Sequence, residues 1–168
     1  LTSHKKIYKL GEVPVLNVVI INNTHEIVNF IGSLDGSDVG WRYPHCDFMI
    51  EKPHLEKSEG IMRCGNMNIL REQDFVQVKP KDSFNPFGYT DENHGFFGNY
   101  KINSQTTFKH RGVYKITFHY SSKSEKIEEF LGNGGYGYDE NKNPELKRLF
   151  KKVPKVELIS NTIEIEIR

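Results

Sequence analysis

Strong net charge is the first thing this chain lacks. Its 23 basic side chains stand against 22 acidic ones, a formal +1 over 168 residues. No broad field therefore steers it onto nucleic acid or an anionic membrane. It has no run approaching the roughly 18 apolar residues of a membrane helix, and no low-complexity tract of the kind that stays disordered. The chain reads as a soluble globular domain with no membrane span. Cysteine is scarce: Cys46 and Cys64 fit a single disulfide in an oxidising compartment, and they equally fit two free thiols. The 7 histidines are scattered, without the H-x-x-x-H or Cys-x-x-Cys spacing of metal sites. A Gly-x-Ser-x-Gly nucleophile elbow is absent too. No metal and no cofactor is expected.

Several near-motifs fail on their context. Gly132-Asn133-Gly134-Gly135-Tyr136-Gly137 spells G-x-G-x-x-G, but phosphate binding needs a strand before the glycines and a helix straight after them. Here they follow a predicted helix, so a loop is expected. Asp139, Asn141, Asn143 and Glu145 alternate like the start of a calcium loop, yet Pro144 falls where that loop needs Gly and Phe150 where it needs Glu. Asp35 and Asp38 fit an Asp-Gly turn better than a cation site. His45, Cys46 and Asp47 hold the residue types of a thiol catalyst, but neighbours in a strand point to opposite faces, so Cys46 reads as structural. His119 faces outward with no visible partner. The chain is not expected to be an enzyme.

What is present is aromatic: 11 Phe, 8 Tyr and 1 Trp, an enrichment that suits strands. In Gly112-Val113-Tyr114-Lys115-Ile116-Thr117-Phe118-His119-Tyr120 the residues Tyr114, Ile116, Phe118 and Tyr120 share one face, the pattern of a half-buried antiparallel strand. Further strands are expected over residues 13–21, apolar on both faces and so central, and over 26–31, 46–51, 74–79, 156–158 and 163–168. Asn22-Asn23-Thr24-His25 and Pro80-Lys81-Asp82 read as turns; the former also fits a glycosylation sequon. After Tyr120 the period changes. Ser122-Lys123-Ser124-Glu125 has capping-box spacing ahead of Ile127, Phe130 and Leu131, and Gly132 can stop that helix. Asn143-Pro144 opens a second helix through Leu146, Leu149 and Phe150. One domain spanning 1–168, with its core over about 13–168, is the economical reading. The chain begins at Leu1 rather than Met, which reads as a processed or trimmed form.

The order of these features resembles a known architecture. A strand ends in Asn22-Asn23, a later one carries Asp-Phe, and Val78-Lys79-Pro80-Lys81-Asp82-Ser83-Phe84 leads on to Arg111-Gly112-Val113-Tyr114 and a terminal alternating strand. This is similar to immunoglobulin-like domains of uncharacterised, often exported, bacterial proteins, and less closely to proteinase inhibitors of the BsuPI type. Lys81 and Arg111 stand where the common pattern has Gly and Pro. Gly-x-Tyr at 112–114 resembles the tyrosine corner of such sandwiches. Ile116 takes the place of the antibody strand F cysteine, so a bridge between Cys46 and Cys64 would be a local one. The resemblance implies an all-β, immunoglobulin-like antiparallel sandwich with two short inserted helices, placed in the envelope or outside the cell; a cytoplasmic location is the alternative.

Two stretches are candidate binding surfaces. Trp41-Arg42-Tyr43 joins residue types that dominate interface hot spots. Residues 84–100 hold Phe84, Phe87, Tyr89, Phe96, Phe97 and Tyr100, with Phe96 and Phe97 as the binding candidates. The expected role is a non-catalytic domain that binds a protein or glycan. The alternatives are a proteinase inhibitor acting by loop insertion and a carbohydrate-binding accessory module.

Overall fold

In chain order the strands are β1 (Thr2–Ser3), β2 (Ile7–Tyr8), β3 (Leu16–Asn17), β4 (Ile20–Ile21), β5 (Val28–Ile31) and β6 (His45–Glu51). They continue with β7 (Phe75–Val78), β8 (Ser83–Phe84), β9 (Gly112–Ser121), β10 (Glu157–Ile159) and β11 (Ile163–Ile167). Among the described residues there are also one α-helix, α1 (Pro144–Phe150), and 3-10 turns at Ser37–Val39, Glu72–Asp74 and Ile127–Phe130. The structure, a computed structural model, describes residues 1–53, 67–87, 107–132 and 143–168. The fold is all-β.

Strand β9 organises the largest sheet. β6 runs antiparallel along one of its edges from His45 opposite Ser121 to Glu51 opposite Lys115. β10 and β11 share the other edge, Glu157 opposite Ser121 and Ile163 opposite Ile116. Ser160 bridges the gap between them: its N–H donates to the Phe118 carbonyl, and its hydroxyl accepts the Phe118 N–H, both at 2.9 Å. β2 adds in parallel to β11. Among the described residues three two-stranded ladders, β1–β3, β4–β8 and β5–β7, accompany it, so the sheets are small and fragmented.

The alternation in β9 places Tyr114, Ile116, Phe118 and Tyr120 in the interior, all buried. Tyr114 and Ile116 pack with Tyr8, Phe108, Ile165 and Ile167. Phe118 and Tyr120 pack with Cys46, Phe30, Val78 and Phe84, so the ladders cover the inner face of the large sheet. A third cluster gathers Ile31, Leu34, Leu70, Phe130, Leu149 and Phe150 beneath the helix. Each fully buried aromatic or aliphatic side chain contributes about 1.5–3 kcal/mol. At the edge of that cluster the Lys155 ammonium lies 3.4 Å from the Phe150 ring centroid. Burial there holds its pKa below the usual lysine value.

Two expectations from the sequence need correction. The run 13–21 is not one central strand. It changes partner, from β1 at Leu16–Asn17 to β8 at Ile20–Ile21, and leaves Val15, Val19 and Ile21 exposed. Neither is there a helix at 122–131, only the 3-10 turn Ile127–Phe130. The Ser122 hydroxyl is not free to cap, because it donates to the Pro154 carbonyl at 2.6 Å while the Ser122 N–H bonds Val156. The second helix forms as expected, with Pro144 in its first turn, although the Asn143 side chain makes no cap bond. Its C-terminal end is held by buried Asn29, whose amide donates to the Leu149 carbonyl at 2.9 Å and whose N–H donates to Lys152.

The Tyr114 hydroxyl donates to the His110 carbonyl at 2.9 Å, the return bond expected of a tyrosine corner. Replacing Tyr114 by Phe keeps the ring packed but removes the hydroxyl bond to that partly buried carbonyl. Chemical denaturation of Tyr114→Phe is expected to show a loss of about 1–3 kcal/mol with an unchanged m-value.

Candidate functional site

Residues 29–38 are buried throughout although they form strand end, loop and turn and include Ser33, Asp35, Ser37 and Asp38. A loop rarely runs inside a protein, because its backbone must then find partners there. This one does. Ser33 N–H bonds the Pro86 carbonyl, Leu34 N–H bonds the Ser37 hydroxyl, and Ser37 N–H returns to Leu34. Asp35 accepts the Asn68 N–H at 3.3 Å. At Gly36, with φ +86°, a Cβ would stand 3.0 Å from the Met67 sulfur and 3.1 Å from Trp41 Cβ.

This frame presents Trp41. Its N–H bonds the Gly36 carbonyl at 2.9 Å while its side chain is 46% exposed. Arg42 points the other way: it is 3% exposed and its guanidinium donates to the Asn68 carbonyl. It holds the loop rather than facing a partner. Tyr43 is half-buried. Its N–H bonds the Glu129 carbonyl, and its ring stacks on His45 with centroids 4.1 Å apart. The Tyr43–Pro44 peptide is cis.

From His45 the surface continues across the outer face of the large sheet. His119, opposite Asp47 in register, is not without partners as its sequence position suggests. Its Nδ1 lies 3.0 Å from Asp47 and its Nε2 lies 3.2 Å from Glu157. Lys123 donates to both oxygens of Glu157 at 3.1 and 3.2 Å. The bonds from Lys123 and then His119 hold the Glu157 carboxyl below its usual range, and Glu157 in turn raises Lys123. Burial lowers His45, partly countered by Asp47. No single local motif announces this cluster, since its members come from three separate stretches of chain. The signal was the outward alternation of β6 and β9, once their pairing is known.

The other candidates fall differently. Cys46 is a free, buried thiol among the described residues, and Cys64, its candidate bridge partner, lies outside them. Burial pushes the Cys46 thiol well up, and Ser33 hydrogen-bonds it. His45 and Cys46 do point to opposite faces, Cys46 inward among Phe118 and Tyr120. Phe96 and Phe97, and the glycine-rich stretch beyond Gly132, lie outside the described residues. Asn22 of the sequon is buried and its amide donates to the Glu26 and Val78 carbonyls, so it closes a turn rather than offering a glycan attachment point. Among the described residues no group of three His, Cys, Asp or Glu could hold a metal, and no helix is long and apolar enough to cross a membrane.

No family model, curated protein or solved structure matches this chain.

Two measurements check this geometry. Gly132 has φ +67°, and a Cβ there collides with the Arg42 guanidinium and the Asn68 carbonyl. Gly132→Ala is therefore expected to lower stability by more than about 2 kcal/mol and to change Trp41 fluorescence. For His45 the folded pKa lies below the ordinary 6.5, so the unfolded chain binds the extra proton. Its contribution is intact above 6.5 and is lost as pH falls below that value. Melting curves should show a shallower loss over that range in His45→Gln than in the wild type.

Proposed function

We propose that this chain is an immunoglobulin-like interaction domain without catalytic activity, working in the cell envelope or outside the cell. It binds a protein partner through the ridge Trp41–Tyr43–His45. The observation that carries the reading is Trp41: a large aromatic, 46% exposed, on a loop fixed from beneath by buried polar groups. A preorganised aromatic anchor loses little entropy when it docks, which is what interface hot spots require.

Three further features support it. The ladders pack over the inner face of the large sheet, as the second layer of a sandwich would, and Tyr114 makes its corner bond. Both ring nitrogens of His119 face carboxylates of its own sheet, so the ring is held within the face rather than presented to a substrate. A second reading, a glycan platform, is favoured by the same exposed Trp41 beside Tyr43, since aromatic faces stack on sugars.

Trp41 is the only tryptophan of the chain, so its fluorescence reports directly on the site. Affinity capture from native extracellular extract with wild type and Trp41→Ala should recover a protein whose binding falls about thirtyfold in the variant, the loss of a hot spot of about 2 kcal/mol. Melting temperatures of the two should agree, because the side chain is exposed. Equal recovery by both proteins would remove Trp41 from the interface. A fluorescence change on adding oligosaccharides, together with calorimetric sugar binding that is lost in Trp41→Ala, would replace the protein reading with the glycan one.

A further inference from the structure

Strand β6 forms one side of the large sheet. It pairs with β9, and among the described residues no strand pairs with its other edge. Which backbone groups face that edge follows from Ser160. The N–H and carbonyl of Phe118 are both bonded by Ser160, on the side of β10 and β11. Successive residues of a strand point these groups to alternate edges, so Lys115, Thr117 and His119 turn theirs toward β6. Their partners Glu51, Met49 and Asp47 use their own N–H and carbonyl groups in that ladder. The N–H and carbonyl of Phe48 and of Ile50 therefore point away from β9, to the open edge. Cys46 is turned the same way, but it is fully buried where the turn Ser37–Val39 packs against β6. The accessible edge thus runs from Phe48 to Glu51.

Such an edge is a template for another strand unless something blunts it. Inside β6 there is no lysine, no proline and no bulge. On the inner side Phe48 and Ile50 remain half-buried, although Phe48 packs on Phe87 and Phe118 with centroids 5.8 and 4.9 Å away. On the outer side Met49 is 45% exposed between Asp47 and Glu51. Glu51 is exposed and makes no ion pair among the described residues, while Lys115 opposite it pairs with Glu164 at 4.0 Å. Asp47 engages His119 through one carboxylate oxygen.

A second copy laid antiparallel fits this edge poorly. Centred on residue 47 or 49, it sets Asp47 against Asp47 or against Glu51, and like charges directly opposite destabilise a pair. Centred on Phe48 it needs the covered groups of Cys46, and centred on Ile50 it runs past the end of β6 into Lys52 and Pro53. Basic side chains suit both carboxylates.

We infer that the open edge of β6 is a strand-addition site for an extended segment of a protein partner, with basic residues opposite Asp47 and Glu51. The residues facing Phe48 and Ile50 exchange N–H and carbonyl bonds with them and cover the two half-buried side chains with apolar ones. Main-chain bonds supply affinity, and the flanking side chains select the sequence. This rests on the reading of the Trp41 ridge as a protein-binding surface, since β6 starts at His45 where that ridge ends. It adds the form and charge of the partner.

The probe is the end-blocked peptide Lys-Val-Thr-Val-Lys, followed by NMR of the full chain at low salt. In the free, dilute protein the Phe48 and Ile50 amides should exchange rapidly with solvent and the Met49 amide slowly. Saturating peptide should slow Phe48 and Ile50 about tenfold and leave Met49 as it was. Methylating the nitrogens of both peptide valines, which take the bonded positions, should weaken binding about tenfold. Methylating the threonine nitrogen, which points away from β6, should change it by less than about twofold. Glu51→Lys should weaken this peptide and favour Glu-Val-Thr-Val-Glu.

Amides of Phe48 and Ile50 that are already slow in the free protein, that stay fast with peptide, or an equal loss from either methylation would overturn the proposal. So would an unchanged charge preference in Glu51→Lys, or protection that grows with protein concentration alone, which gives the edge to a second copy. Should that variant fail to fold, the wild-type exchange and methylation results decide. Equal partner capture by Trp41→Ala removes the ridge and leaves the exchange result standing. Unprotected amides with capture still lost in Trp41→Ala remove the edge alone.

Discussion

Strand β9 has neighbours on both edges and solvent on only one face, and the side-chain period of two leaves it no freedom about what goes where. Tyr114, Ile116, Phe118 and Tyr120 must be inside once any one of them is, and Lys115, Thr117 and His119 must then be outside. A slip of one residue would bury a lysine and a histidine and expose two tyrosines and a phenylalanine. That cost keeps β6 in the register that sets Asp47 beside His119, and β10 in the register that brings Glu157 within reach. The polar face is therefore a consequence of the apolar one. The core does not merely support the site; it aligns the three strands whose side chains compose it.

The loop of residues 32–43 solves a different problem. It carries the chain from β5 to β6 through the interior, where unpaired backbone would cost about 1–3 kcal/mol for each group. The solution is a set of short local bonds, Leu34 with Ser37 and Trp41 with Gly36, together with ties to distant segments at Pro86, Asn68 and Glu129. Arg42 completes it from below, packed so closely under Gly132 that no side chain fits there. Burying polar residues in a loop fixes its path, and that path holds the Trp41 backbone against Gly36 while the residue stands exposed.

How far the sequence shows this depends on the range of the interaction. The strands with strict alternation, β6, β9 and β11, are legible because each residue's side follows from its neighbours. The turn at Pro80-Lys81-Asp82 and the helix opened by Pro144 are legible for the same local reason. Residues 13–21 are misleading because apolar character on both faces suggests burial, whereas the chain there changes ladder and leaves Val19 and Ile21 in solvent. Ser122 has the spacing of a helix cap, but the tie to Pro154 that claims its hydroxyl is 32 residues away. The partners of His119 are 72 and 38 residues distant, and no periodicity reports a contact at that range. For Arg42 the residue type was informative and its direction was not: the strand alternation that would orient it begins only at His45.

The two parts of the candidate site meet at His45, and its position links their chemistry. It begins β6, so its backbone is held in the sheet, while its ring lies against Tyr43 at the end of the buried loop. Burial by that stack disfavours the charged ring, and the neighbouring His119 and Lys123 disfavour it further, against the pull of Asp47 and Glu157. His45 thus joins the aromatic stack at the end of the loop to the network of His119, Asp47 and Glu157, and the alternation of β6 and β9 brings both onto one face.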